Sequence, residues 1–142
     1  MKPLIKIALI LFVIGLVAAG GVYWYAFMRP HKDMLKTRPE FVMDASDLFN
    51  DFSNDENSAN KKYLGKVVQI TGKVIDVKNE NNETAVTLED ELFGVSTYLD
   101  SAFVAQNPKL VSKLDSGQMV TLRGQCDGML DDVVISRAVI IQ

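Results

Sequence analysis

The sequence predicts a mainly-β fold in which one small five-stranded barrel follows a single membrane-spanning helix. Three observations predict it. Twenty-two residues without a charge run from Ile7 to Met28. Beyond residue 65, apolar and polar residues alternate over several short segments, which is typical of half-buried strands. Two of these segments share one pattern and place a glycine at the same point.

The uncharged run is long enough to cross a bilayer as a helix. It would reach about 33 Å, against a hydrocarbon core of about 30 Å. Lys2 and Lys6 precede it, and aromatic residues typical of a membrane interface lie near its far end: Tyr23, Trp24, Tyr25 and Phe27. A cleaved signal peptide is the alternative, but its apolar region spans only about 7–15 residues. We therefore expect residues 1–28 to be an uncleaved anchor.

Charge is distributed unevenly along the chain. From Glu40 onward there are nine Lys and Arg against seventeen Asp and Glu, a net charge of −8, and the six other basic residues lie at or before Arg38. The positive-inside rule would place the domain in the cytoplasm, whereas a short basic region before an apolar run also begins exported signal-anchors. We expect a single-pass bacterial inner-membrane protein whose soluble domain is extracytoplasmic, in the periplasm.

A stalk and a helix are predicted between the anchor and the first strand. Residues 29–43 form the basic stalk, because prolines discourage a helix there, and it could extend about 50 Å. A helix then begins at Asp44 as N-cap and ends before Gly65. Its apolar residues share one face: Leu48, Phe49, Phe52, Ala59 and Tyr63. The barrel domain is predicted over residues 44–142.

Five strands with period-two alternation follow this helix. They are predicted at residues 66–78, 84–89, 94–99, 118–126 and 133–141. A short helix should begin at Asn107-Pro108 and end at Leu114, between the third and fourth strands, because proline suits the first helical position. Residues 127–131 are predicted to turn the chain into the last strand.

The two longest strands share a sequence pattern. Residues 65–74 and 117–126 both place an apolar residue at every second position, and their alignment pairs Gly72 with Gly124 and Val74 with Cys126. A glycine at that point allows a strand to bend sharply. Two bent strands, three shorter ones and a helix between the third and fourth are the parts of the OB barrel. Cys126 is therefore predicted to be a core residue.

At these positions the chain resembles the tRNA-anticodon-like OB-fold family of small bacterial proteins. The resemblance covers about Asp44 to the C-terminus. It is carried by Asn60-Lys-Lys-Tyr63-Leu-Gly65-Lys-Val-Val, Thr71-Gly72-Lys-Val74, Leu114-x-x-Gly117-Gln-x-Val120-Thr-Leu-Arg-Gly124-x-Cys126-x-Gly128 and Asp132-Val-Val. These are scaffold motifs, so the resemblance implies the fold. The family's activity is largely undefined, and its name reflects likeness to anticodon-binding domains rather than RNA binding.

No catalytic, cofactor or metal site is predicted. The only histidine, His31, lies in the stalk, which leaves zinc and haem chemistry without a ligand set. Asp127, Asp131 and Asp132 match no EF-hand spacing, and Asp-Gly is common in hairpin turns. The acidic run at residues 89–91 has no recognisable base or nucleophile beside it. We therefore expect the protein not to be an enzyme.

A binding surface is predicted on the outside of the barrel. Its candidate ligand-binding residues are the aromatic Phe93 and Tyr98 of the middle strands and the basic Lys73 and Arg123 of the first and fourth predicted strands. OB domains that bind nucleic acid combine a basic groove with aromatic platforms. Here Lys66, Lys73, Lys78 and Arg123 make only a modest basic stripe, and the net charge opposes a phosphate backbone.

The predicted function is a membrane-anchored OB-fold binding or interaction module. Its partner would be a protein, a peptide or a small cationic ligand near the membrane, because an acidic cleft favours a cation. Two alternatives to this function remain open. In the first, the domain is an accessory structural subunit of an envelope assembly. In the second, which its net charge opposes, it binds nucleic acid.

Overall fold

The structure is a computed structural model that describes residues 2–28, 32–90 and 94–141. The chain divides into two compact units, Met1–Lys32 and Asp33–Gln142. The first unit contains helix α1, Pro3–Phe27, whose 25 residues are all exposed. This helix is long and apolar enough to cross a membrane, as the sequence predicts. Proline stands at its first position, where its missing N–H costs nothing.

The second unit contains six strands and four helices within the described residues. In chain order they are β1 (Phe41–Asp44), α2 (Ala45–Asn54), α3 (Glu56–Tyr63), β2 (Val67–Glu80), β3 (Glu83–Leu88), β4 (Val95–Leu99), α4 (Ser101–Gln106), α5 (Pro108–Ser112), β5 (Met119–Met129) and β6 (Val133–Ile141). Strands β2 to β6 correspond to the five strands predicted from alternation.

Strand pairing closes a barrel. The order is β1-β2-β3-β4-β6-β5, and β2 also pairs with β5. Strand β2 can do both because it has 14 residues: Val67 to Lys73 pair with β5, and Val74 to Glu80 pair with β3. Strands β4 and β6 run parallel, while the other barrel pairs are antiparallel. This closed arrangement confirms the five-stranded OB barrel.

The alternating apolar residues fill the barrel. The side chains of Val120, Leu122 and Cys126 point inward from β5, and those of Val68 and Ile70 point inward from the neighbouring strand β2. Cys126 is fully buried, as predicted, and burial raises the pKa of its thiol. It therefore packs as a small apolar side chain rather than serving as a reactive thiol.

The two aligned glycines, Gly72 and Gly124, are required because other residues pack closely against them. The sequence analysis instead explained them by the backbone freedom that a sharp strand bend needs. Neither has φ in the left-handed region. A Cβ atom on Gly124 would lie 2.6 Å from Ile135 Cγ2 and 2.8 Å from the Ser136 carbonyl oxygen. A Cβ atom on Gly72 would lie 2.9 Å from Ala45 Cβ and 2.8 Å from Glu89 Oε1. Another strand or helix therefore packs directly against each glycine.

The segment before the barrel packs against it from residue 33 onward. Met34 is only 2% exposed, and β1 pairs parallel with β2, joining Phe41 to Val68 and Asp44 to Thr71. The sequence analysis assigned these residues to an extended stalk and missed β1. Four residues are too few to show a strand period, and a parallel edge pairing leaves no turn signal in the sequence.

The helices differ from the prediction in number. The single helix predicted from Asp44 to residue 64 is two helices, because Asp55 breaks it and caps α3 through its carboxylate and Ser58 N–H, 3.1 Å apart. Helix α4 was also missed, although Asp100 caps it by accepting from Phe103 N–H at 3.0 Å. The predicted turn at residues 127–131 is displaced: β5 runs on to Met129 through a bulge at Gly128, where φ is +97°.

Candidate ligand-binding surface

Tyr98 is central to the candidate surface. Its side chain lies on the outer face of β4, between the buried Thr97 and Leu99, and is 40% exposed. Among the described residues of the barrel unit, Tyr98 is the only aromatic residue whose side chain is exposed. Its neighbour on β3 is Ala85, which in turn pairs with Lys78 on β2. A small residue beside Tyr98 leaves one side of the ring uncovered by a large neighbour.

On its other side, Tyr98 faces a bulge in β6. Thr97 pairs with Ile135 and Leu99 with Ala138, so Ser136 and Arg137 together stand opposite Tyr98. The bulge places Arg137 at φ +51°, a conformation that non-glycine residues seldom adopt. Strained backbone of this kind is concentrated at functional sites.

Arg137 is held by a hydrogen-bond chain on the outer face. Its guanidinium donates to Gln125 Oε1 on β5, and the Gln125 amide donates to Asp127 Oδ1 at 3.4 Å. The sequence analysis did not single out Arg137. One arginine in a strand gives no signal that the strand is bulged, and its proximity to Tyr98 follows from the parallel pairing of β4 with β6.

The row of residues next to Tyr98 is polar and carries both charges. Asp76, Thr87 and Ser96 stand side by side on β2, β3 and β4. Asp76 lies 3.7 Å from Lys78 Nζ, and Ser96 Oγ donates to Asp132 at 2.8 Å. The surface around the ring therefore alternates in sign instead of forming a continuous basic groove.

The predicted residue Arg123 lies on a different stretch of the outer surface. It stands opposite Gln69 on the β2–β5 ladder, whereas Tyr98 is in line with Lys78 at the other end of β2. The Arg123 guanidinium donates to Gln69 Oε1 at 2.8 and 3.1 Å. It also donates to the carbonyl oxygens of residues 34, 35 and 37, at 3.2, 3.1 and 3.0 Å. Arg123 therefore fastens the chain's own N-terminal segment to the barrel.

The other predicted residues are distributed as follows. Lys73 is exposed on β2, opposite Met119, and shares the outer face of the β2–β5 ladder with Arg123. Phe93 lies outside the described residues. The basic stripe is partly neutralised, because Lys66 Nζ lies 3.3 Å from Glu40 and Lys78 lies beside Asp76. In the strand register, Tyr98 is thus in line with Lys78 on one side and with the bulge at Arg137 on the other, and not with Lys73 or Arg123.

A second concave region lies between α2 and α3. This cleft of about 280 Å³ is lined by Asp51, Asn54, Asp55, Ser58, Ala59, Lys62 and Tyr63. The Tyr63 hydroxyl donates to Asp51 at 2.5 Å, and Lys62 Nζ lies 4.7 Å from the Tyr63 ring centroid. Burial, and then the bond to Asp51, raise the pKa of Tyr63. Asp51, Lys62 and Tyr63 thus interact with one another, and we interpret the cleft as part of the packing between α2 and α3.

Within residues 2–28, 32–90 and 94–141, no three His, Cys, Asp or Glu side chains are grouped to hold a metal ion. Asp132, one of the three aspartates considered above for Ca²⁺, instead accepts from Ser96 Oγ and from Gly94 N–H.

The sequence matches the family described as tRNA_anti-like over residues 1–140. The chain belongs to this family. The match confirms the resemblance inferred from the glycine and strand motifs, and it extends through the N-terminal helix as well as the barrel. Among proteins with curated descriptions, none is similar enough in sequence to count as a relative.

The barrel is also similar to solved structures. A candidate nucleic acid-binding lipoprotein from Klebsiella pneumoniae subsp. pneumoniae MGH 78578 superposes with a TM-score of 0.59 at 18% identity, covering 80% of this chain and all of that one. Asparaginyl-tRNA synthetase from Pyrococcus horikoshii gives a TM-score of 0.43 at 18% identity, over 57% of this chain and 21% of that one. OBody NL8, bound to hen egg-white lysozyme, gives a TM-score of 0.41 at 18% identity, over 55% of this chain and 96% of that one. At 18% identity the likeness to the Klebsiella structure shows the fold alone.

Proposed function

We propose that this protein is a membrane-anchored OB-fold module that binds a polypeptide through the outer face around Tyr98. The observation that carries the proposal is the exposed Tyr98 ring between the small Ala85 and the strained, bulged Arg137. Exposed aromatic side chains with arginine nearby are typical of the centres of protein interfaces.

The charges around the ring favour a polypeptide with basic side chains. Asp76, Asp127 and Asp132 border the surface, against Lys78 and Arg137. The barrel domain as a whole carries a net charge of −8 from Glu40 onward, which attracts cations over a longer range. A ligand with an apolar anchor flanked by Lys or Arg matches both features.

A peptide-binding assay tests the proposal. We would measure the affinity of the full-length protein in detergent for labelled peptides that place one Trp or Leu among lysines. Tyr98→Ala should weaken binding about tenfold or more, the loss typical of an interface anchor. Met119→Ala is the matched control, because Met119 is 61% exposed on β5 and pairs with Lys73, away from Tyr98. Equal affinities for wild type and Tyr98→Ala would reject the proposed surface.

Single-stranded nucleic acid is the second candidate ligand. A tyrosine on the outer face of an OB barrel with a lysine in the same row is an arrangement that stacks bases, and the Klebsiella protein of the same fold is described as a candidate nucleic acid binder. The assay above includes a labelled oligonucleotide for this reason. Oligonucleotide binding that is lost in Tyr98→Ala and falls steeply with salt would replace the peptide proposal.

The anchoring part of the proposal rests on α1, whose 25 residues are all exposed and include a single charged residue, Lys6. We propose that it spans the inner membrane of a bacterium and that the barrel lies on the periplasmic side. Carbonate extraction tests the span: the protein should stay in the membrane pellet. A C-terminal tag should be lost to protease once the outer membrane is permeabilised, and survival of the tag until lysis would place the barrel in the cytoplasm.

A further inference from the structure

The first turn of the barrel unit, residues 33–38, is held in shape by its own hydrogen bonds and is fixed to the barrel by Met34 and Arg123. The Asp33 carbonyl accepts from Lys36 N–H and Thr37 N–H, at 3.1 and 2.9 Å, and its carboxylate accepts from Leu35 N–H at 3.1 Å. Met34 is buried, and Arg123 donates to three carbonyls of the turn. The turn therefore presents one fixed set of side chains to its surroundings.

Those side chains include one exposed apolar residue and two exposed cations. Leu35 is 49% exposed, the Lys36 side chain is 87% exposed, and Arg38 is exposed as well. An exposed leucine among cations is the pattern of surfaces that lie in the headgroup layer of a bilayer, with the apolar side chain inserted and the cations on lipid phosphates.

Opposite charges near the turn do not cancel these cations. Asp33 lies 3.6 Å from Lys36, and Glu40 is paired with Lys66. The turn itself holds two positive charges, on Lys36 and Arg38, and one negative charge, on Asp33, which gives it a net charge of +1, whereas the chain from Glu40 onward has a net charge of −8. The turn is thus the positive end of an otherwise acidic domain, and such a dipole turns that end toward an anionic surface.

The chain is also too short to keep the turn far from a membrane. Helix α1 ends at Phe27, with Met28 as its C-cap. Five residue steps join Met28 to Asp33, which span at most about 18 Å even when fully extended. This limit follows from covalent geometry and holds for any arrangement of the two units. The predicted stalk, by contrast, could have reached about 50 Å.

We propose that residues 33–38 are a membrane-contact surface that binds the anionic phospholipid headgroups of the bilayer that α1 spans. Leu35 inserts between headgroups, and Lys36 and Arg38 bind their phosphates. The inference rests on the proposed function in one respect, namely that α1 is an uncleaved membrane span. It identifies the second partner of the barrel domain as the lipid surface itself.

The test uses the full-length protein in vesicles of phosphatidylcholine with or without phosphatidylglycerol. A fluorophore is attached to Leu35→Cys or, as a matched control, to Leu130→Cys, which is 87% exposed in the β5–β6 turn. Cys126 is fully buried, so the unsubstituted chain reports any background labelling. Quenching by lipids that carry a spin label at headgroup depth then measures contact with the surface.

We expect quenching at position 35 to exceed that at position 130 at least twofold in anionic vesicles, and to fall when phosphatidylglycerol is omitted or when Lys36→Glu and Arg38→Glu are introduced. Equal quenching at both positions, or no dependence on lipid charge and on the two glutamates, would overturn the inference. Carbonate extraction of the same vesicles separates the two proposals. Protein in the pellet without selective quenching rejects the surface alone, whereas extracted protein rejects the anchor and the surface together.

Discussion

Two arginines on the outside of the barrel, Arg123 and Arg137, have different surroundings. Arg123 donates to Gln69 and to three carbonyls of the N-terminal turn, so its donors are engaged within the chain. Arg137 stands on strained backbone beside the exposed Tyr98 and contacts one side-chain acceptor, Gln125. The difference shows that the role of a surface cation is set by the segment that packs over it.

The comparison separates the outer surface into a region covered by the chain's own N-terminal segment and the region around Tyr98 that we propose as the binding surface. In the region around Arg123, a local segment covers the β2–β5 ladder and satisfies the guanidinium. In the region around Arg137, the described residues leave the Tyr98 ring partly open. We expect substitutions in the first region to lower stability and substitutions in the second to lower binding.

The largest effect is expected at the glycine beneath the bulge that carries Arg137. Gly124→Ala places a Cβ atom against Ile135, the Ser136 carbonyl and the Ala138 Cα atom, mostly backbone that cannot move aside. We expect a loss of about 3 kcal/mol, the upper end for overpacking, measured by urea unfolding.

Gly72→Ala is the matched comparison for that variant. Its close contacts are the flexible end of Glu89 and the side chain of Ala45, so the loss should be smaller, about 1–2 kcal/mol. A larger loss at Gly72 than at Gly124 would contradict the packing explanation.

The next effect separates the two arginines directly. Arg123→Ala removes the donors from Gln69 and from the carbonyls of residues 34, 35 and 37. We expect it to cost about 2 kcal/mol, because these bonds are charge-assisted and half-buried. Hydrogen exchange should show residues 33–44 losing protection before the barrel does. Unchanged protection there would mean that Met34 and β1 hold the segment without the arginine.

A smaller effect tests the strain at Arg137. A φ of +51° is unfavourable for any residue with a Cβ atom, so Arg137→Gly should be about 1 kcal/mol more stable than Arg137→Ala. Both variants lack the guanidinium and should weaken peptide binding equally. Thermal unfolding of the pair isolates the backbone contribution, and equal melting temperatures would argue against a strained bulge.

The smallest effect is expected at Lys73, which is exposed on the outer face of the β2–β5 ladder. Lys73→Ala should change the free energy of unfolding by no more than about 0.5 kcal/mol, as for other exposed surface positions. It should also change the peptide affinity by no more than about twofold, because Lys73 lies on the β2–β5 ladder, as Arg123 does, and not in the row of Tyr98. A marked loss of affinity would extend the binding surface across β2, as the sequence analysis predicted.

The sequence determined the parts of this protein that depend on local periodicity. The run of twenty-two uncharged residues predicts a helix long enough to cross a bilayer, and α1 is such a helix. Alternation predicts β2 to β6 because one face of each strand is buried, and it places Cys126 in the core for the same reason. The repeated glycines indicated the paired long strands of the barrel, although steric contact, not backbone freedom, is why Gly72 and Gly124 are needed.

Only the tertiary structure decided which outer residues meet. Strand β1 and the turn at residues 33–38 become ordered through contacts with β2 and Arg123, which lie from about 25 to almost 90 residues away in the chain. The neighbours of Tyr98 follow from the parallel pairing of β4 with β6 and from a bulge in β6 that no glycine or other turn residue in the sequence indicates. Long-range pairing and strain leave no period in the sequence, so neither the hydrogen bonds from Arg123 to the N-terminal turn nor the place of Arg137 opposite Tyr98 could be predicted.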